Sequence, residues 1–285
     1  MPKVSIIIRS KNDILYIENT LKMIHSQDFK DFETICVDSG STDGTFEILQ
    51  KYNPTILYQI KPEDYIPGLV LNNAIEKCNG EIIVFNNSDC IPQNNQWLEE
   101  LIKPLLDETE DKLVSTFGRQ IPRPDAHELV KKDYNRAFGD GKISASWFHF
   151  FSLATSAIKT SSIREFPFDN DIQYSEDIEW SFRMKNKGFK INYVKDSIVE
   201  HSHNYKVREI FKRFKGEGKA DAKIYRNNYK FFNMIKNIIS ETLRDFVYLS
   251  VAGKYHLLFY CPLHRSLQRF GVYMGYREFL KQNKK

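Results

Sequence analysis

Short unbroken apolar runs alternate, in the first half of the chain, with stretches whose apolar residues recur at helical spacing. Val4 to Ile8, Phe32 to Val37, Thr55 to Gln59 and Glu81 to Phe85 each read as a strand. Ile82 to Phe85 has the continuous apolarity of a strand buried on both faces. Between the first two strands, Ile14, Ile17, Leu21 and Ile24 fall on one helical face, with Asn12 or Asp13 as cap. A second helix starts at Ser41-Thr42-Asp43 and carries Phe46, Ile48 and Leu49. A third opens at Pro67-Gly68 and runs through Leu69, Asn72, Asn73 and Ile75. Such alternation predicts an α/β fold with a parallel sheet and right-handed crossovers.

Three of these strands end in polar clusters: Arg9 to Asn12, Asp38 to Ser41, and Asn86 to Cys90. In a parallel sheet all three lie along one edge, where open α/β sheets bind ligands. Turn chemistry accounts for any one cluster taken alone. Asp89 is the single carboxylate of its cluster and suits a hard divalent cation carrying phosphates. Neither a Gly-x-Gly-x-x-Gly fingerprint nor a Gly-Lys-Ser/Thr phosphate loop is present, which disfavours a nicotinamide enzyme and a P-loop NTPase.

Further along, Asn94 to Leu106 predicts a helix with Trp97, Leu98, Leu101, Ile102 and Leu105 on one face, and Leu113 to Phe117 another strand. Pro122 and Pro124 mark Gly118 to Ala126 as a stiff loop. Its Arg119 and Arg123 read as surface charges or as phosphate partners, and for each alone the surface reading is favoured. Trp147 to Ile158 reads mostly as core strand, with His149 a satisfied core histidine. Ser175 is placed as an N-cap, with Glu176 and Asp177 in the first helical turn, where the dipole keeps a carboxylate ionised. Gly188 closes that helix. Phe189 to Val194 and Ser197 to Val199 are strands leading to His201 and His203, which project the same way on extended chain. That pair is either a metal or phosphate site or a plain surface feature.

Composition adds limits. The 285 residues allow one large domain or two small ones, and 41% hydrophobic content supports a sizeable core. A net charge of +4 does not by itself argue for nucleic acid. None of the four cysteines forms a Cys-x-x-Cys pair, and Cys36 and Cys78 sit in apolar segments as buried thiols, which points to a reducing compartment. No signal-peptide pattern or spanning stretch appears, so a cytoplasmic protein is expected. Lys206 to Lys230 is basic and carries Ile210, Phe211 and Phe214 on an apolar face. It reads as a solvated face, a diphosphate contact or a surface on anionic lipid. Phe231 to Leu263 is apolar and aromatic, interrupted by Lys254 and His256, and suits interfacial docking or oligomer packing.

Val4-Ser5-Ile6-Ile7-Ile8, then Val37-Asp38-Ser39-Gly40-Ser41-Thr42-Asp43-Gly44-Thr45, then Ser88-Asp89-Cys90 resembles a family 2 glycosyltransferase. The resemblance covers residues 4–215 and is strongest in the first 90. It implies a GT-A fold: a Rossmann-like, mixed but mostly parallel sheet flanked by helices. Residues 1–205 would form this domain, with a nucleotide-binding half at 1–92 and an acceptor half at 93–205, followed by a helical extension at 206–285. It implies inverting transfer of a sugar from a nucleoside-diphosphate sugar to a hydroxyl of a glycan or lipid-linked acceptor. Arg9, Ser10, Asn12, Asp38, Ser41, Asn72 and Ser88 would line the nucleotide. Asp89, with His201 or His203, would hold Mn²⁺ or Mg²⁺. Asp177 would be the general base, and Glu176 would position the acceptor or Asp177. Ser39 stands where the family often has a second acid, and Asp89 is the lone acid of the metal motif. Gly118-Arg119-Gln120 followed by Pro122-Arg123-Pro124-Asp125-Ala126 resembles the rhamnosyltransferase-like branch and hints at dTDP-rhamnose, with a UDP-sugar as the other donor. The extension would give peripheral membrane contact on the cytoplasmic face or an oligomer contact, with no nucleic-acid partner. Two rivals differ in class. A non-catalytic protein of this fold would bind membrane or nucleic acid through its basic tail. A sugar nucleotidyltransferase would need a glycine-rich loop after the first strand, which Arg9 to Asn12 lacks.

Overall fold

The computed structural model describes residues 1–107, 111–143, 147 and 150–283. They form two compact units. One comprises Met1–Pro124, Tyr134–Asp171 and Glu176–Ser202, the other Asp125–Asp133, Ile172–Ser175 and His203–Lys285.

The first unit is built on a mixed sheet. β1 (Val4–Ser10), β2 (Phe32–Asp38), β3 (Ile56–Gln59) and β4 (Ile82–Asn87) are joined through α1 (Ile17–His25), α2 (Thr45–Lys51) and α3 (Pro67–Ile75). Then come β5 (Ile91–Pro92), α4 (Trp97–Leu106), β6 (Leu113–Ile121), α5 (Glu128–Phe138, of which Tyr134–Phe138 belongs to this unit), β7 (Thr155–Lys159), α6 (Thr160–Glu165), α7 (Glu176–Asn186) and β8 (Lys190–Glu200). The strand order is β3-β2-β1-β4-β7-β6-β8-β5. β3, β2, β1 and β4 are mutually parallel, and β7 runs antiparallel to both β4 and β6. β1 shows why its continuous apolar run was needed. Ile6 and Ile8 enter a core with α1 and α4, while Ile7 enters a second core on the opposite face with α3 and α7. Successive strand side chains serve opposite faces, so a sheet covered on both sides tolerates no polar alternation.

Several local expectations are corrected. α1 begins at Ile17 rather than after Asn12 or Asp13. Asn12 takes φ +54° and spends its Oδ1 on the Thr42 N–H, so it caps nothing, and Ile14 stays exposed. α2 begins at Thr45, after Gly44 at φ +99°, and Asp43 Oδ1 accepts the Thr45 N–H. Ser175 sits at φ +62°, outside the extended region of an N-cap. Gly118 to Ile121 belongs to β6 rather than to a loop, because these residues pair in parallel with β8. The prolines act only beyond Ile121. The two strands expected over 189–199 are one, with an irregularity in its pairing to β6 between Gly118 and Arg119. Among the described residues of the aromatic segment only Thr155–Lys159 is strand, and His149 lies outside the described residues.

The second unit contains α8 (Val207–Tyr225), α9 (Phe231–Val251) and α10 (Tyr260–Gln282). α8 and α10 pack backbone to backbone through glycines. A Cβ on Gly275 would stand 2.2 Å from Lys215 O, and one on Gly218 would stand 2.3 Å from Val272 O. Gly275→Ala is therefore expected to lower stability by about 1–3 kcal/mol from overpacking, more than the roughly 1 kcal/mol of helix propensity it gains. Denaturant unfolding followed by far-UV circular dichroism measures it.

Candidate active site

Strand register sets the site. Ser10 of β1 pairs beside Asp38 of β2, and Arg9 beside Asn87 of β4, so the three polar clusters share one edge of the sheet. Asp38 is fully buried. Ser10 Oγ (2.9 Å) and Ser41 Oγ (2.5 Å) donate to its Oδ1; Ser41 N (2.8 Å) and Gln59 Nε2 (2.8 Å) donate to Oδ2. Burial works against its ionisation, but these donors outweigh burial and hold the carboxyl below its ordinary range. Ser41 Oγ also accepts the Asn12 N–H at 2.8 Å. Asp38, Ser41 and Asn12 thus lace the ends of β1 and β2 into one rigid floor. Next to them, Ser39 Oγ is buried with no hydrogen-bond partner among the described residues, a polar atom suited to a ligand. Nothing in the sequence had marked Ser39 beyond the acid it replaces.

The β4 end carries the second cluster. Ser88 donates to Asp13 Oδ2, and the Ser88 N–H donates to Arg9 O at 3.0 Å. Burial, with Asp89 close by, raises the Asp13 carboxyl. Read only as a cap from sequence, Asp13 is a second acid, beside Asp89, at the β4 end of this edge. Asp89 is buried, with Oδ2 3.4 Å from Arg123 Nη2 and 3.5 Å from His201 Nε2. Arg123 is not a surface charge. It is 6% exposed, its guanidinium lies 3.7 Å from the Tyr16 ring centroid, and it donates to the carbonyls of Asp89 and Ser202. Proline-flanked arginines look superficial in a sequence; the continuation of β6 is what carries this one inward.

His201 is fixed through its other nitrogen. Its Nδ1 lies 2.8 Å from Gln120 Oε1, and Gln120 Nε2 donates to Ser152 Oγ at 2.8 Å. With the Gln120 amide oriented by Ser152, Nδ1 carries a proton and Nε2 is the nitrogen that faces Asp89. Asp89, Cys90 and His201 offer ligand atoms within 4.8 Å of one another. Burial, then the Asp89 charge, pushes the Cys90 thiol well up, so it stays protonated. One carboxylate and one imidazole remain, a set that fits Mn²⁺ better than Mg²⁺, which prefers oxygen alone. His203 belongs to the second unit, where its ring meets Tyr205. Gln120→Leu is expected to weaken Mn²⁺ binding about 10–100-fold by releasing the imidazole, read by electron paramagnetic resonance of free Mn²⁺.

At the start of α7, Glu176 Oε1 accepts from Arg9 Nη1 at 3.0 Å, and both side chains are largely buried. Glu176 thereby ties α7 to the end of β1. Asp177 Oδ1 accepts the Ile178 N–H at 2.8 Å, and Oδ2 accepts the Leu153 N–H at 3.3 Å. Burial and the adjacent Glu176 charge raise the Asp177 carboxyl to about 7, against the pull of those two N–H groups and of Arg9. This corrects the expectation that the helix terminus alone holds it ionised. Asn72 Nδ2 donates to Phe168 O (2.9 Å) and Asn170 Oδ1 (2.8 Å), and its Oδ1 accepts the Phe168 N–H.

The family model for glycosyl transferase family 2 matches residues 5–161. The O-antigen chain rhamnosyltransferase RfbN of Salmonella typhimurium is 28% identical over 223 residues, covering 74% of this chain and 70% of that protein. The GalNAc(5)-diNAcBac-PP-undecaprenol beta-1,3-glucosyltransferase of Campylobacter jejuni is 28% identical over 207 residues, covering 67% of this chain and 63% of that protein. Among solved structures, the mannosyltransferase PcManGT from Pyrobaculum calidifontis, in complex with GDP-Man and Mn²⁺, superimposes with a TM-score of 0.68 at 17% identity. That match covers 99% of this chain and 88% of the mannosyltransferase. The mixed sheet with its laced polar edge is a GT-A fold, and the chain belongs to glycosyl transferase family 2.

Proposed function

We propose that the protein is an inverting glycosyltransferase that moves a sugar from a nucleoside-diphosphate donor, dTDP-rhamnose before a UDP-sugar, to a hydroxyl of a glycan or lipid-linked acceptor. The observation that carries this is the Arg9–Glu176–Asp177 linkage, which joins a carboxyl held at about 7 to the strand edge where a nucleotide would lie. Asp177 accepts the acceptor's hydroxyl proton as that oxygen attacks the anomeric carbon. The sugar's bond to the diphosphate breaks on the opposite face, and its electron pair leaves with the diphosphate. Arg9, Ser10, Asn12, Asp38 and Ser41 shape the nucleoside side, with Ser88 at its margin, and Glu176 positions Asp177. Asp89 and His201 are the residues that would hold a divalent cation, which when bound stabilises negative charge on the leaving diphosphate. The donor preference rests on the names of the relatives. The membrane-linked acceptor rests on one relative named for an undecaprenol-linked substrate. The extension would bring the enzyme to that bilayer.

The test is release of nucleoside diphosphate from a panel of dTDP-, UDP- and GDP-sugars, with Mn²⁺ or with chelator. Turnover of dTDP-rhamnose that rises with Mn²⁺ supports the reading. Binding of no nucleotide by calorimetry overturns it.

A further inference from the structure

Helix α9 is inverted relative to an ordinary helix of a water-soluble domain. Its buried positions, Met234, Glu241, Asp245 and Leu249, lie on one face and include both of its acids. Asp245 is fully buried against Arg265, whose Nε donates at 2.7 Å, and against Lys132. Glu241 accepts from Arg269 Nε at 2.8 Å. The opposite face is apolar and in solvent: Phe232 is 81% exposed, Ile239 54%, Leu243 58% and Val247 67%. Ile235 and Phe246 extend the same stripe, and Val251, Tyr255 and Phe259 continue the exposed apolar surface past the helix end. A polar core and an apolar exterior make sense where the outside is not water.

Charge identifies the surroundings. From residue 222 to residue 277 the only acids are Glu241 and Asp245, and both are turned inward. Within that span the exposed Lys and Arg residues include Arg226, Lys230, Lys236 and Arg244. No helix among the described residues is long and apolar enough to cross a membrane. An exposed apolar stripe on a helix whose exposed charges, Lys236 and Arg244, are both positive matches the interfacial layer of an anionic bilayer. A second copy of this chain would bring the same cations face to face around a two-fold axis, so self-association is the poorer fit.

We infer that α9 lies flat in the interface of an anionic phospholipid bilayer, with Phe232, Ile239, Leu243 and Val247 among the acyl chains and Lys236 and Arg244 at the headgroups. This deepens the membrane contact of the functional reading above and rests on it for its purpose. It would hold the enzyme at the surface that carries a lipid-linked acceptor.

Flotation with phosphatidylcholine vesicles, with and without phosphatidylglycerol, tests it on the full chain. Binding is expected only with phosphatidylglycerol, weakened by salt, and about tenfold or more weaker in Leu243→Glu/Val247→Glu. Both side chains are exposed, so the variant keeps its circular dichroism. Release of nucleoside diphosphate from a soluble donor is expected to be unchanged in the variant, which separates this test from that of the transfer reading. Two results overturn the proposal. One is equal flotation of wild type and variant. The other is a lipid-free dimer, seen by light scattering, that the same two substitutions dissociate.

Discussion

Asp177→Asn is expected to lower transfer by about 10²–10⁴-fold, the usual worth of a positioned general base. Asparagine keeps the shape, and its one carbonyl oxygen can still accept the 2.8 Å bond from the Ile178 N–H, giving up only the longer 3.3 Å bond from Leu153, so folding and nucleotide binding persist. The pH dependence separates loss of a base from loss of a scaffold. Burial and Glu176 place the Asp177 carboxyl at about 7, so the acid form dominates below neutrality. Transfer by the wild type therefore rises with pH through about 7 and then levels. The residual rate of Asp177→Asn should lack that limb. For stability the sign is opposite. A carboxyl raised above its unfolded value favours the folded state where it is protonated, and that contribution is lost as pH rises from the unfolded value of 3.8 through about 7. Asp177→Asn, which cannot ionise, should thus be at least as stable as wild type at pH above 7 by chemical denaturation, while being far less active. An inactive variant that had also lost nucleotide binding would mean that Asp177 supports the pocket instead.

The parallel half of the sheet was readable because its strands are buried on both faces. A short uninterrupted run such as Ile82 to Phe85 suits little besides a doubly covered strand, and the cores on the two sides of β1 show each residue of such a run in use. The strand-end clusters were readable for the same reason: a parallel sheet brings all its C-terminal ends to one edge. What the sequence hid was set by pairing partners distant in the chain. Gly118 to Ile121 carries loop-like composition and becomes strand because β8 pairs with it. That pairing delivers Gln120 to His201 and carries Arg123 to Asp89, over separations of 81 and 34 residues. The Asp177 carboxyl was misjudged because a helix terminus is a local feature, whereas the burial that outweighs it comes from side chains of the whole unit. In α9 the apolar and aromatic composition was visible, but the face those residues occupy was not. Only the placement of Glu241 and Asp245 against Arg269 and Arg265 shows that the apolar stripe points outward.

Asp89→Ala is expected to have the second large effect, and it should be felt in three separate measurements. Mn²⁺ binding should be lost, because His201 alone is a weak site once the carboxylate is gone. Transfer should fall by about 10²–10³-fold, the scale for removing a group that stabilises charge developing in the transition state. Folding should suffer too, by about 3 kcal/mol, since Arg123 would be left 6% exposed beside no anion. Its carbonyl partners and the Tyr16 ring remain, which keeps that cost at the lower end. The three effects can be separated by removing the orphaned cation as well. Asp89→Ala/Arg123→Met should recover much of the lost stability, because an apolar side chain needs no counter-charge, and should recover neither Mn²⁺ binding nor transfer. If the double variant regained activity along with stability, the Asp89 carboxylate would be a structural partner of Arg123, and the cation site would lie elsewhere. If stability stayed low while Mn²⁺ binding survived in the single variant, Asp13, the acid near Asp89 at the β4 end, would be the residue to change next.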